Sequence, residues 1–241
     1  MDLKIKDVAE LLNVSEKKIY ELIEEGKIPA YKLNDKYRFN RTEIENWVLN
    51  QKKVNPFSTK HHYLKLKETQ KIIKRQIGSQ AFALYKSIYK GGVIFDKGGD
   101  DKKNVIKRSV DIIAKNLNLD AEVLLELLMD REKLMPTALN NGIAIPHTRD
   151  FLLPKPYDVV TVVYLDEPIE YGALDQKKVD LLFFLFACND KKHLHLLAKI
   201  AHLANSKKSF DFLKSKPEKE QLLSYIKKWE ATVKSPANEL C

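Results

Sequence analysis

Apolar and polar positions alternate along this chain in two rhythms. In the first fifty residues the rhythm is helical. Ile5, Val8, Leu11 and Leu12 form one stripe, and Ile19, Tyr20, Leu22 and Ile23 form a second. Asn13-Val14 makes the turn between them, Ser15 is a good N-cap, and Gly26 closes the second helix as the residue just past its end. Ile28 to Leu33 and Lys36 to Phe39 then flank Asn34-Asp35, a pair that tolerates turn geometry, which predicts a short hairpin. A third helix with Ile44, Trp47 and Val48 follows, opened by Thr42, Glu43 and Glu45, with Thr42 as the expected cap.

From about residue 81 helical stripes alternate with short dense apolar runs. Val93-Ile94-Phe95 lies between two glycine pairs. Val105, Val110, Ile113 and Leu117 mark a helix from Asp101, and Val123, Leu124, Leu127 and Leu128 mark another capped by Asp120. Ile143 to Ile145, Val159 to Leu165 and Leu181 to Phe186 read as strands, the last two buried on both faces. Helices follow over Leu194 to Leu203, Ser209 to Leu213 and Pro217 to Trp229, with Pro217 in the first turn. The expectation is a two-domain protein: a mainly α winged helix-turn-helix over 1–50, a basic linker or connecting helix over 51–80, and an α/β sandwich with mixed sheet and flanking helices over 81–241.

Charge sharpens this division. The 241 residues carry a formal net charge of +9, but residues 1–50 contribute −1, residues 51–80 contribute +7 and the remainder +3. The middle segment therefore offers a polyanion contact, or simply a solvated helix punctuated by Tyr63, Leu64, Leu66, Ile72, Ile73 and Ile77. Two cysteines, Cys188 and Cys241, exclude a disulfide framework or a thiolate metal site. No apolar run reaches membrane-spanning length and the first residues lack a signal-peptide pattern, so a soluble cytoplasmic protein is expected.

The chemistry concentrates at Asn141 to Arg149. The apolar strand Ile143 to Ile145 meets Pro146, which suits a strand end, and His147 follows on a rigid stem. Its ring is expected at a sheet edge, reaching solvent or a partner. An imidazole so placed can act as a nucleophile and exchange protons near neutral pH.

Two resemblances extend these readings. Lys6 to Ser15, Ile19 to Ala30, Tyr37-Arg38-Phe39 and Ile44 to Trp47 are similar to the excisionase/MerR-like helix-turn-helix family over about residues 3–50. That resemblance implies a second helix in the major groove and a hairpin wing on the backbone, with Ser15, Lys17, Lys18, Lys32, Lys36, Arg38 and Arg41 as DNA contacts. Glu16, Glu21, Glu24 and Glu25 make the presumed recognition helix acidic, so use of the module for protein interaction stays open.

The second resemblance rests on five ordered blocks: Asp130-Arg131-Glu132, Pro136 to His147, Glu167-Pro168-Ile169, Gly172 to Asp175, and Lys192 to Ala198. Over roughly residues 83–230 the chain resembles the EIIA domain of the mannitol/fructose type of the bacterial phosphotransferase system, a group that includes nitrogen-related regulatory EIIA proteins. The resemblance implies that His147 takes a phosphoryl group from an HPr-like phosphocarrier. Arg131 would hold phosphate oxygens with its planar fork, and His193 at a helix start would donate to the same group. Thr137, Thr148 and Arg149 are supporting phosphate contacts. No cofactor is implied. A His147/His193 metal pair lacks a third ligand marked by spacing, and neither a serine elbow nor paired carboxylates suggests a hydrolase.

The expected protein is thus a phosphohistidine phosphocarrier, not a hydrolase or oxidoreductase, coupling phosphorylation to DNA or protein binding. The alternatives are a plain EIIA carrier for a separate sugar permease with a docking module in front, or a module that has lost phosphorylation. A phosphoryl acceptor or regulated protein and a homo-oligomer are further partners consistent with either.

Overall fold

The structure, a computed structural model, describes residues 2–12, 14–50, 82–139, 141–148, 150, 152–153 and 157–233. The expected linker over 51–80, Asn13 of the first turn and Arg149 lie outside the described residues.

The N-terminal unit is built as the apolar spacing predicts, with one addition. Strand β1 (Asp2–Lys4) precedes helices α1 (Ile5–Leu12) and α2 (Glu16–Glu24), the hairpin β2 (Tyr31–Leu33) and β3 (Lys36–Asn40), and helix α3 (Arg41–Asn50). β1 pairs antiparallel with β3 to give a three-stranded sheet of order β1-β3-β2. Leu3 is the lone apolar residue of β1, too little for a strand signal in sequence. Ser15 caps α2 by accepting from Lys18 N at 3.2 Å. Asn34 and Asp35 both take positive φ, as the two-residue turn requires. The cap of α3 is Asn40 rather than Thr42: its Oδ1 accepts from Thr42 N at 2.9 Å and Glu43 N at 3.4 Å. Its position at the end of β3 puts an acceptor one residue ahead of the first helical turn.

The larger unit contains α4 (Ala83–Gly91), β4 (Val93–Gly98), α5 (Lys102–Leu117), α6 (Ala121–Leu134), β5 (Ile143–Ala144), β6 (Val159–Ile169), β7 (Val179–Phe186), α7 (Asp190–Asn205), α8 (Lys207–Lys214) and α9 (Lys219–Val233). Its mixed sheet has order β4-β6-β7-β5, with β4 parallel to β6, β6 antiparallel to β7, and β5 parallel to β7. The strand alternation divides the core cleanly. Val160, Val162, Tyr164, Leu181, Phe183 and Leu185 face α4, α7, α8 and α9. Val159, Val163, Leu165, Leu182, Phe184 and Phe186 face α5 and α6. Burial on both faces is why these strands read as continuous apolar runs.

Three local details depart from the expected elements. Val123 stands 49% exposed on α6, whose inward positions are Leu124 and Leu128. Pro217 precedes α9 by two residues, since Glu218 O receives the first helical hydrogen bond, from Leu222 N. Helix α4 was not anticipated. Its N-terminal amides, Leu84 N and Tyr85 N, donate to the buried Glu230 carboxylate of α9 at 3.2 and 2.8 Å, a cap supplied from far along the chain.

The stem of His147 is fixed from both sides. Asn141 and Gly142 adopt positive φ before β5, and an added Cβ at Gly142 would lie 2.8 Å from Lys178 O. Thr137 O and Ile143 O engage Ile145 N and Leu139 N, covering the outer edge of β5. Pairing does not stop at the proline: Leu185 N donates to Pro146 O at 2.9 Å, and His147 bridges Leu185 in parallel fashion. A proline can keep its carbonyl in the ladder although it lacks the amide. Gly142→Ala is therefore expected to cost more than about 1 kcal/mol in chemical denaturation, because both the backbone angle and the close carbonyl oppose a side chain.

Candidate functional site

β5, α6 and α7 bring together His147, Arg131 and His193, the residues that the second resemblance put at one site. His147 hangs from the β5 stem, Arg131 lies in the last turn of α6, and His193 lies in the first turn of α7. The two imidazole centroids are 5.0 Å apart, and all three side chains are at most 3% exposed. The expected sheet-edge position holds, but the His147 ring meets a partner within the same chain and not solvent.

His147 is oriented through both ring nitrogens. Nδ1 lies 2.7 Å from Ile145 O, a pure acceptor, so this nitrogen carries the hydrogen. Arg131 Nε donates to Nε2 at 3.1 Å, so the Nε2 lone pair faces the guanidinium. Arg131 is fixed in turn: Nη1 donates to Met135 O at 3.0 Å and Nη2 to Asn46 Oδ1 at 3.2 Å. An oriented lone pair beside an always-charged fork suits attack on an anionic electrophile.

A fourth component was not marked by motif or spacing. Glu45 of α3 is fully buried, with Oε2 3.9 Å from His147 Nε2 and Oε1 3.6 Å from His193 Nε2. Arg41 Nε donates to Glu45 Oε1 at 3.0 Å, and Arg41 Nη1 pairs with Asp190 at the start of α7. Burial alone would raise the Glu45 pKa. The imidazoles of His147 and His193 and the Arg41 guanidinium outweigh it and bring the carboxyl down to about 2. His193 moves the other way from a base's usual stabilisation. Burial first, then its neighbours His147, Arg41 and Arg131, hold it well below the ordinary value of 6.5, against the pull of Glu45. In sequence the only trace of Glu45 was its place four residues after Arg41 in a helix with Ile44 and Val48 inward.

Glu45, His147 and His193 place three ligand-type atoms within 4.8 Å of one another. The donor set fits a cation poorly. The Nε2 lone pair already faces Arg131, and Arg41 sits on the carboxylate, so a divalent ion would enter between two guanidinium groups. An anion fits this surround better.

Other expected site residues fall elsewhere. Thr137 is buried with its hydroxyl donating to Glu132, whose carboxylate also accepts from Tyr171 Oη at 2.9 Å and Lys102 Nζ at 3.3 Å. Thr148 Oγ1 donates to Asp150 O at 3.0 Å. Both hydroxyls thus shape the loops around the site. Among the DNA candidates, Lys17, Lys32 and Lys36 are exposed, Lys18 pairs with Glu21 at 2.9 Å, and Arg38 Nη1 donates to Tyr37 O at 3.0 Å. Lys36 and Arg38 also line a surface depression of about 390 Å³ together with Lys4, Lys6, Tyr20 and Tyr37. Arg41 points inward to Glu45 and Asp190.

Comparison with known proteins finds two families along the chain. Residues 87–229 match the family described as phosphoenolpyruvate-dependent sugar phosphotransferase system, EIIA 2, and residues 3–52 match a helix-turn-helix domain family. A nitrogen regulatory protein of Pseudomonas aeruginosa is 37% identical over 131 residues, covering 53% of this chain and 84% of the relative. Its Escherichia coli counterpart is 36% identical over 134 residues, covering 54% of this chain and 81% of the relative. The crystal structure of the nitrogen regulatory protein IIA-Ntr from Neisseria meningitidis superimposes with a TM-score of 0.51 at 26% identity, covering 57% of this chain and 93% of that one. No helix among the described residues is long and apolar enough to cross a membrane.

Two shifted groups of the site contribute to the acid response, alongside His202, which burial also lowers. His193, depressed below 6.5, leaves the folded state unprotonated where the unfolded chain binds a proton, so stability is full above pH 6.5 and falls below it. Glu45 contributes stability that is present above its ordinary 4.5 and is lost as pH falls toward about 2. Denaturant titrations from pH 8 to 3 should show losses with a slope of up to about 1.4 kcal/mol per pH unit for each group. His193→Gln should reduce the loss between 6.5 and 4.5, and Glu45→Gln the loss below 4.5.

Proposed function

We propose that this chain, which belongs to the phosphoenolpyruvate-dependent sugar phosphotransferase system EIIA 2 family and carries a helix-turn-helix domain, is a regulatory phosphocarrier whose phosphorylation on His147 governs binding by that domain. The observation that carries the reading is the clamp on one imidazole, Nδ1 at 2.7 Å from Ile145 O and Nε2 at 3.1 Å from Arg131 Nε. It supplies a directed lone pair with a phosphate-binding fork beside it.

In this reading an HPr-like phosphocarrier presents a phosphohistidine to Nε2. The Nε2 pair forms the new N–P bond while the donor's N–P bond breaks and its electron pair returns to the donor ring. Each ring keeps its own N–H, and that of His147 stays on Ile145 O. Such a transfer asks for alignment and charge neutralisation. Arg131 holds the phosphoryl oxygens, and His193, uncharged under the influence of its burial and cationic neighbours, donates a hydrogen bond to them. The chain is divided as a winged helix-turn-helix domain over 1–50, a connecting segment over 51–80 and the EIIA domain over 81–241.

The nitrogen regulatory relatives favour regulation over sugar uptake as the use of the phosphoryl group. For the helix-turn-helix domain, the exposed Lys17, Lys32 and Lys36 on α2 and the hairpin favour duplex DNA as the partner.

Incubation with phosphoenolpyruvate and the general phosphotransferase proteins should label the chain once, at His147. His147→Ala should remove the label, and Arg131→Ala should slow labelling roughly 100-fold, the usual effect of losing one charge-stabilising donor. Label that survives His147→Ala refutes the assignment. Duplex binding followed across a salt series should weaken as salt rises, and Lys36→Ala should reduce the log–log slope by about 1. Absence of affinity at low salt excludes DNA as the partner.

A further inference from the structure

We propose that Glu45 is a built-in stand-in for the phosphoryl group, so that docking of the helix-turn-helix unit and phosphorylation of His147 exclude one another. The inference rests on the reading of His147 as phosphoacceptor and adds how that site is regulated.

The placement of the carboxylate is that of a bound anion. Its oxygens lie 3.9 Å from His147 Nε2, 3.6 Å from His193 Nε2 and 3.0 Å from Arg41 Nε. The first is the nitrogen that would bond the phosphorus and the second a donor to its oxygens, so the carboxylate stands where the phosphoryl group would. The neighbouring residue Asn46 takes Nη2 of Arg131 at 3.2 Å, so part of the phosphate-binding fork is engaged by α3 as well. A carboxylate with no exposure is tolerable only among polar and charged partners, and Arg41 together with the two imidazoles supplies them.

The contact is a whole interface and not a single side chain. α1 and α3 rest on α7, and Ala198 of α7 belongs to the apolar core of the N-terminal unit with Val8, Leu12, Ile44 and Val48. Arg41 ties the start of α3 to Asp190 at the start of α7. With the unit docked, His147 has no exposure, and no phosphocarrier can bring a phosphohistidine to Nε2. Phosphorylation thus requires α3 to leave first.

The reverse follows from charge and space. A phosphoryl group on Nε2 carries about −1.5 to −2 charge and three oxygens. It would fill the 3.9 Å between Nε2 and Glu45 and set two anions against each other where no water screens them. The same Arg131 fork that holds Asn46 would turn to phosphate. Each state therefore disfavours the other by the same free energy, as linkage demands. The docked contact is made through α1 and α3, and the exposed lysines of α2 and the hairpin move with the unit when it is released.

The test compares the full-length wild type with Glu45→Gln and Ala198→Arg in the rate of His147 labelling by phosphoenolpyruvate and the general phosphotransferase proteins. Glu45→Gln removes the stand-in. Ala198→Arg breaks the apolar contact from the other side, leaves Glu45 in place and changes only a position that becomes surface on undocking. Both variants should label about tenfold faster or more, which corresponds to about 1.4 kcal/mol removed from the docked state. Labelling of all three at one rate overturns the lock while leaving His147 as phosphoacceptor. Acceleration by Glu45→Gln alone overturns it too, because loss of charge without undocking would then suffice. No label on any of the three refutes the phosphoacceptor reading itself, and the stand-in with it.

Discussion

A carboxylate removed entirely from water, with two imidazoles and a guanidinium within 4 Å, is the constraint around which this molecule is arranged. Neither partner is stable in this form alone. Glu45 buried without polar partners would carry an uncompensated charge, and the buried Arg131 would do the same. The pairing therefore holds the N-terminal unit against the larger one more specifically than the apolar contact at Ala198 could, because apolar surfaces tolerate sliding and charge pairs of this kind do not.

The rest of the fold serves to fix the positions of these charges. The β5 stem is held between β7 and the segment Thr137–Leu139, which leaves the His147 ring one orientation. The last turn of α6 holds Arg131, and its neighbour Glu132 is locked by Thr137, Tyr171 and Lys102. The Tyr171 phenol, pushed well up by burial, stays a hydrogen-bond donor to that carboxylate. α7 presents His193 from its first turn, where the side chain of Asn189 caps the helix through Lys192 N. Sheet, helix end and helix start thus converge on one point, and α3 closes it. In the proposed function, the group that replaces Glu45 is the phosphoryl group.

What could be read from sequence was what depends on local order. The strands β6 and β7 showed themselves as unbroken apolar runs, α5 and α6 as stripes with an aspartate in front, and His147, Arg131 and His193 as blocks in fixed sequence. Illegible were the features made by contacts across long separations. α4 has an N-terminus finished by Glu230, about 145 residues away, and an N-cap, Phe82, whose side chain makes no capping bond. Glu45 was read only as one of the residues that open the third helix, because its burial depends on a domain that begins more than thirty residues later. Arg41 was counted with the basic surface of the hairpin for the same reason. Thr137 and Thr148 belonged to the site by neighbourhood in sequence, yet their hydroxyls are used by Glu132 and by the carbonyl of Asp150.

The mutual exclusion of docking and phosphorylation can be seen directly at Ala198, the one residue of the larger unit that lies within the N-terminal core among the described residues. In a methyl-labelled sample, nuclear Overhauser contacts between the Ala198 methyl and the methyls of α1 and α3 should be present in unphosphorylated protein. They should vanish when His147 is stoichiometrically phosphorylated and return as the phosphohistidine is hydrolysed. Contacts of undiminished strength in the phosphorylated protein would contradict the central claim.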